Sequence, residues 1–143
     1  MIYATRATII TVYGQDFLTD LTPVDVTDPE ATVDQALAQA SAEIDGWLSA
    51  RYQIPLARQP RALERPCIDI AAYILANSHT RLTVTIEDRY KHAIALLKDI
   101  GAGRAGLGDA EPSAAIDAGG TASGADFVAN PRRFRRPNGR GGN

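Results

Sequence analysis

The sequence is poor in the residues that most enzymatic and extracellular chemistry requires. It holds one cysteine, Cys67, among 143 residues, which excludes an internal disulfide and a cysteine-based zinc site. A single unpaired thiol fits a reducing compartment. Aromatic residues make up only 6% of the chain, and the 45% hydrophobic content leans heavily on alanine. The longest apolar stretch, IAAYILA at 70–76, falls far short of the roughly 20 residues that a membrane-spanning helix needs. The first 15 residues lack a basic segment followed by a continuous apolar one, so no secretory signal is expected. These absences predict a soluble intracellular protein with no membrane partner.

Basic residues are also missing locally. Between residues 7 and 50 there is no Lys or Arg but there are eight acids, Asp16, Asp20, Asp25, Asp28, Glu30, Asp34, Glu43 and Asp45. The last twelve residues, RRFRRPNGRGGN, hold five arginines and no acid. The net charge of −2 conceals this segregation, which is the pattern of an interaction tail.

The remaining patterning is helical. Thr5 is placed to cap a short helix running to Tyr13, with Gly14 as its stop. QDFLTDLT at 15–22 reads as a further turn or two, ended by Pro23. Asp28, Pro29 and Glu30 form a strong helix start. From there Val33, Leu37, Ala40, Ile44 and Trp47/Leu48 recur at steps of three and four, one apolar stripe over about five turns. Gly46 interrupts this helix at about 1 kcal/mol relative to Ala, which points to a close approach of another backbone. Ile54-Pro55 ends the pattern. A second long helix begins near Pro60 or Arg61 and either starts or bends at Pro66. Its buried face is Leu63, Cys67, Ile70, Ile74 and Leu75. A third is capped by Thr85, carries Ile86, Tyr90, Ala93/Ile94, Leu97 and Ile100, pairs Glu87 with Lys91, and stops at Gly101.

The predicted fold is therefore all-α: a small bundle of three long helices with short N-terminal helices. The expected core comprises Val33, Leu37, Ile44, Trp47, Leu48, Leu63, Cys67, Ile70, Ile74, Tyr90, Ile94 and Leu97. Residues 1–104 form the helical domain. Residues 105–126 read as a Gly/Ala-rich flexible loop, and 127–143 as an extended Arg-rich arm.

No constellation in the sequence predicts catalysis, a cofactor or a metal. Gly101, Gly103 and Gly106 match GxGxxG, but the fingerprint needs a preceding strand and a following helix, and here a helix precedes and a loop follows. His79 and His92 lack partners at metal-ligand spacing. Glu43 and Asp45 are two residues apart, so they diverge on a helix and cannot share a substrate. Asp25, Asp28 and Glu30 lack the glycine and closing Glu of a calcium loop and read as helix-start residues. Ser41, Ser49 and Ser78 have no nucleophile elbow, and Cys67 lies on the apolar stripe as inert core. The lone Trp47 near two carboxylates reads as core for the same reason. The expectation is a protein that is not an enzyme. Candidate partner-binding residues are Phe127, Val128, Arg132, Arg133, Phe134, Arg135 and Arg136 of the arm, with Asp16, Asp20, Asp25 and Asp34 at the acidic end. The arginines suit nucleic-acid phosphates, an acidic protein surface, including that of a neighbouring copy, or simply a solvated tail.

Several blocks together resemble a virion protein family of Mu-like phages and prophages. They are Tyr3-Ala4-Thr5, Tyr13-Gly14-Gln15-Asp16 with Leu18-Thr19-Asp20, the run ASAEIDGWLSARYQIPL at 40–56, Cys67-Ile-Asp-Ile-Ala-Ala-Tyr73, and Arg89-Tyr90 through Leu96-Leu97-Lys98-Asp99-Ile100 to Gly103 and Leu107-Gly108. That family looks like the head–tail connector (adaptor, head-completion) proteins of long-tailed phages. The resemblance implies a homo-oligomeric ring, about twelve copies in the virion, and the opposed charges of the chain's two ends suit the heterologous contacts that close such a ring. The ring would sit below the portal protein and carry the next head-completion or tail protein. DNA would pass through its channel without specific binding, which a negative lumen favours. Localisation would be the head–tail interface, with assembly in the host cytoplasm. Phe127-Val128 and Pro131-Arg132-Arg133-Phe134 resemble the family's terminal pattern, although the 101–126 loop and the Gly-rich ending depart from it. Two other readings stand beside this one, a small helical nucleic-acid-binding protein using the Arg-rich tail and a small enzyme.

Overall fold

A computed structural model describes residues 1–22 and 25–108. It contains α1 (Arg6–Tyr13), α2 (Gln15–Leu21), α3 (Pro29–Leu48), α4 (Glu64–Ser78) and α5 (Val84–Gly101), with a 3-10 turn at Arg61–Leu63 leading into α4. No strand occurs among the described residues. The fold is all-α, as the periodicity requires.

Local chemistry sets the helix ends. Thr5 and Thr8 cap α1 reciprocally: the Thr5 hydroxyl accepts from Thr8 N at 3.4 Å and the Thr8 hydroxyl from Thr5 N at 2.9 Å. Gly14, at φ +88°, turns the chain between α1 and α2 while its N–H donates to Ile10 O. Asp28 caps α3 by accepting from Ala31 N at 2.9 Å, and Pro29 occupies the first helical position. Pro66 falls in the first turn of α4, where backbone N–H groups have no intrahelical acceptor and a missing one is harmless. The cap of α5 is Thr83, not Thr85. Thr83 is extended (φ −112°, ψ 157°) and its hydroxyl accepts from Ile86 N, so the helix starts two residues before the periodic apolar pattern does.

α4 is the central element. It packs on both α3 and α5, α3 and α5 also touch, and α2 rests on α4. Pro66, Cys67, Ile68, Asp69, Ile70, Ala71, Ala72, Leu75 and Ala76 are all buried, so α4 is covered on more sides than a single stripe would allow. Val33, Leu37, Ile44, Leu48, Leu63, Cys67, Ile70 and Leu97 are buried as expected. Ile74, Tyr90 and Ile94 are half-buried and pack against that core. Trp47 is not core. It is 37% exposed, with the Lys98 ammonium 5.4 Å from its ring centroid. The buried line of α3 runs Ile44 to Leu48, and a residue one step off that line turns about 100° away. Trp47 therefore sits at the edge and meets the cationic stem of α5.

The close backbone approach lies at Gly101 rather than Gly46. A Cβ on Gly101 would fall 2.8 Å from the Trp47 carbonyl oxygen, whereas one on Gly46 meets nothing within 4 Å. The C-terminal ends of α3 and α5 touch backbone to backbone there.

Buried polar ties hold the N-terminal segment to the bundle. Tyr3 is fully buried; its N–H donates to Ser41 Oγ and its carbonyl accepts from Gln59 Nε2 at 2.7 Å. Its hydroxyl donates to Asp45 Oδ1. Tyr90 donates to Glu43 Oε1 at 3.1 Å. The two carboxylates flanking Trp47 are thus acceptors inside the fold and not a free acidic edge. On the other side, Tyr13 donates to Asp69 Oδ1, and Arg65 donates to both the Tyr13 oxygen (2.8 Å) and Asp69 Oδ2 (3.3 Å). The Arg65 and Arg89 guanidinium carbons stand 4.9 and 4.6 Å from the Tyr13 ring centroid. Burial, then the hydrogen bond and charge of Asp69, push the Tyr13 phenol up to about 12 against the opposing charges of Arg65 and Arg89.

Two tests follow from these contacts. Gly101→Ala should destabilise by about 1–3 kcal/mol, because the methyl meets fixed backbone. Gly46→Ala should stabilise by about 0.5–1 kcal/mol through helix propensity alone. Equal urea midpoints for the two variants would remove the close approach. The raised phenol pKa favours neutral Tyr13 in the fold, so its contribution is complete below the ordinary tyrosine value of about 10 and is lost as pH rises toward 12. Tyr13→Phe should cost about 1–3 kcal/mol at neutral pH and flatten part of the stability loss between pH 10 and 12. The Tyr3 phenol, raised by burial and by Asp45, should account for the remainder. An unchanged alkaline slope in the Tyr13→Phe variant would contradict the Tyr13–Asp69 coupling.

Candidate partner-binding surface

α1, α2 and the first turns of α3 enclose an open groove of about 740 Å³. The capped turn at Gly14 folds α2 back beside α1, and the Asp28–Pro29 start brings α3 alongside both. The apolar lining comes from Ala7 and Ile10 of α1, Leu18 of α2, and Pro29 and Val33 of α3. Leu18 and Val33 are buried at its base, while Ile10 is 36% exposed. Arg6 stands at the groove with Nη1 2.6 Å from Glu30 Oε2 and Nε 3.8 Å from Asp34 Oδ1.

None of the four candidate acids lines the groove, whose one acidic lining residue is Glu30. Asp16 and Asp20 are exposed on α2, Asp25 is exposed in the connection to α3, and Asp34 is exposed on α3. Asp34 already faces Arg6, so it is the least available of the four. The arm candidates Phe127, Val128, Arg132, Arg133, Phe134, Arg135 and Arg136 lie outside the described residues.

Of the groups that could have suggested chemistry, Cys67, Ser41 and Ser49 are engaged structurally. The Cys67 thiol is fully buried, is pushed up by burial, and lies 3.5 Å from Ser41 Oγ. Ser41 donates to Leu37 O and Ser49 to Gly46 O, each at 2.8 Å. His79 ends α4 beside a smaller depression formed with Gln35, Gln39 and Ser78, and its Nε2 is buried without a hydrogen-bond partner. His92 is exposed on α5. Among the described residues no three His, Cys, Asp or Glu side chains are grouped to hold a metal ion. Gly101 ends α5 and Gly103 follows it, so the GxGxxG match lacks the strand its fingerprint needs.

Two arrangements escaped the sequence reading. Arg51 extends from the end of α3 to the carbonyls of Ile100 (3.3 Å) and Ala105 (3.1 Å), acting as a cationic cap on α5. Its only sequence signal was a position shortly after the α3 stripe. The second is the charge division of the body. Residues 51–104 carry nine Lys or Arg against five acids, which reverses the sign of residues 7–50.

Comparison with known proteins supplies the family. Residues 3–125 match the model of the family described as Bacteriophage Mu, Gp36. The chain is 34% identical over 110 residues to the Mu-like prophage FluMu protein gp36 of Haemophilus influenzae, covering 76% of this chain and 77% of that relative. It is 35% identical over 104 residues to gene product J of Escherichia phage Mu, covering 73% and 72%. No described helix is long and apolar enough to cross a membrane. The match runs through both the helical bundle and the groove that its first three helices form, and the chain belongs to the bacteriophage Mu Gp36 family.

Proposed function

We propose that this chain is a structural, non-enzymatic component of the virion, a head–tail connector that assembles as a homo-oligomeric ring below the portal. In this role it extends the DNA channel and presents a platform to the next head-completion or tail protein. The observation that carries the reading is the charge division over the helical body. One half, residues 7–50, holds eight acids and no base, and the next, 51–104, holds nine bases and five acids. Unlike halves suit heterologous contacts, in which one face of a subunit meets a different face of its neighbour. Such contacts close into a ring when the rotation allows. Membership of a phage family supports the setting. The engagement of Cys67 and Ser41 in the core supports a role without catalysis. An acidic channel lumen would disfavour tight phosphate binding by the passing DNA.

Mass measurement in solution, with and without the portal protein of the same phage, tests this reading. The expected result is a ring-sized species with the portal present, weakened when residues 127–143 are removed. A chain that stays monomeric in both cases would overturn it. The competing role in nucleic-acid binding predicts a log–log salt slope of DNA affinity near −4 to −5, from about five arginine–phosphate contacts.

A further inference from the structure

The groove between α1, α2 and α3 selects for a particular kind of occupant. Its base is apolar, from Ile10, Leu18 and Val33, and a volume of about 740 Å³ is in the range that holds a large side chain with its neighbours. Its surroundings are acidic: from Arg6 to Asp34 the chain has six acids and a single base, and that base is already paired with Glu30 at 2.6 Å. A matching segment would carry a bulky apolar side chain flanked by cations. Residues 127–136, FVANPRRFRR, are such a segment, with four arginines, no acid, and Phe134 between two arginine pairs. Reach is sufficient. The residues 109–126 that separate it from Gly108 span up to roughly 60 Å when extended, more than the diameter of a body whose radius of gyration is about 13 Å.

We propose that residues 127–136 dock in this groove, with Phe134 against Ala7, Ile10 and Pro29 over the base formed by Leu18 and Val33, and the flanking arginines sharing Glu30 and Asp34 with Arg6. The inference deepens the connector reading, on which it rests for its role in joining neighbouring copies. The binding itself is a property of the groove and of the segment.

The full chain with Thr19→Cys and Arg135→Cys tests it, since Thr19 lines the groove and the native Cys67 is buried. A control chain carries His92→Cys and Arg135→Cys, because His92 is exposed on α5, which contributes no residue to the groove lining. Under mild oxidation the Thr19 pair should cross-link at least about tenfold faster than the control, the gain in effective concentration expected of a docked segment. A third change, Phe134→Ala, or salt at about 1 M, where the Debye length is about 3 Å, should remove the difference. Non-reducing gels assign the bond to one chain or to a pair of chains, and either supports docking. Equal rates in test and control, with both variants folded by thermal melt, overturn it. Rapid cross-linking without ring formation on the portal overturns the connector reading alone, and ring formation without preferential cross-linking overturns only the docking.

Discussion

α4 has almost no free side, and the other helices are arranged to cover it. Cys67, Ile68, Ile70, Ala71 and Ala76 of this one helix are fully buried. α3 and α5 lie against it, and α2 closes part of the remainder. A small protein gains most by surrounding one helix, because the buried fraction rises only slowly with chain length. The constraint then propagates. A helix covered on so many sides must present small residues where neighbours come close, and Ala71, Ala72 and Ala76 supply them. The alanines of α4 are thus a packing solution, with short side chains letting the neighbouring helices converge.

Covering α4 also buries a carboxylate. Asp69 is 8% exposed, and a charge removed from water is tolerated only with partners. Tyr13 and Arg65 satisfy its two oxygens, and the Tyr13 ring is in turn placed between α4 and α5 by the Arg65 and Arg89 guanidiniums. One buried acid thereby pins the C-terminal end of α1 against α4, and Gly14 turns α2 back from that point. The groove between α1, α2 and α3 is a consequence of that turn. Surface chemistry at one end of the molecule is positioned by a polar requirement in its middle.

Much of the architecture was legible because helix periodicity and capping are local. The Asp28–Pro29 start, the Val33–Leu37–Ile44–Leu48 stripe and the Glu87–Lys91 pair, at 2.7 Å, needed no knowledge of neighbours. The errors share a cause. Trp47 and Leu48 are both compatible with an apolar stripe one residue wide of its centre, and only the direction from which α5 approaches decides which is covered. Gly46 and Gly101 are equally plausible contact points until the helix ends are placed, and the contact belongs to Gly101. Thr83 and Thr85 both resemble caps, and backbone extension at Thr83 selects it.

Residue order alone determined the helices, their approximate ends, most of the core and the segregation of charge. These follow from propensity, spacing and the count of ionisable groups, which act within a few turns of chain. The tertiary structure alone decided that Glu43 and Asp45 serve Tyr90 and Tyr3, that Arg51 caps α5, and that Arg6 meets Glu30 and Asp34 at a groove shared by three helices. Those outcomes depend on residues tens of positions apart meeting in space. Their meeting is set by how three helices cover a fourth, a packing problem that no local pattern encodes.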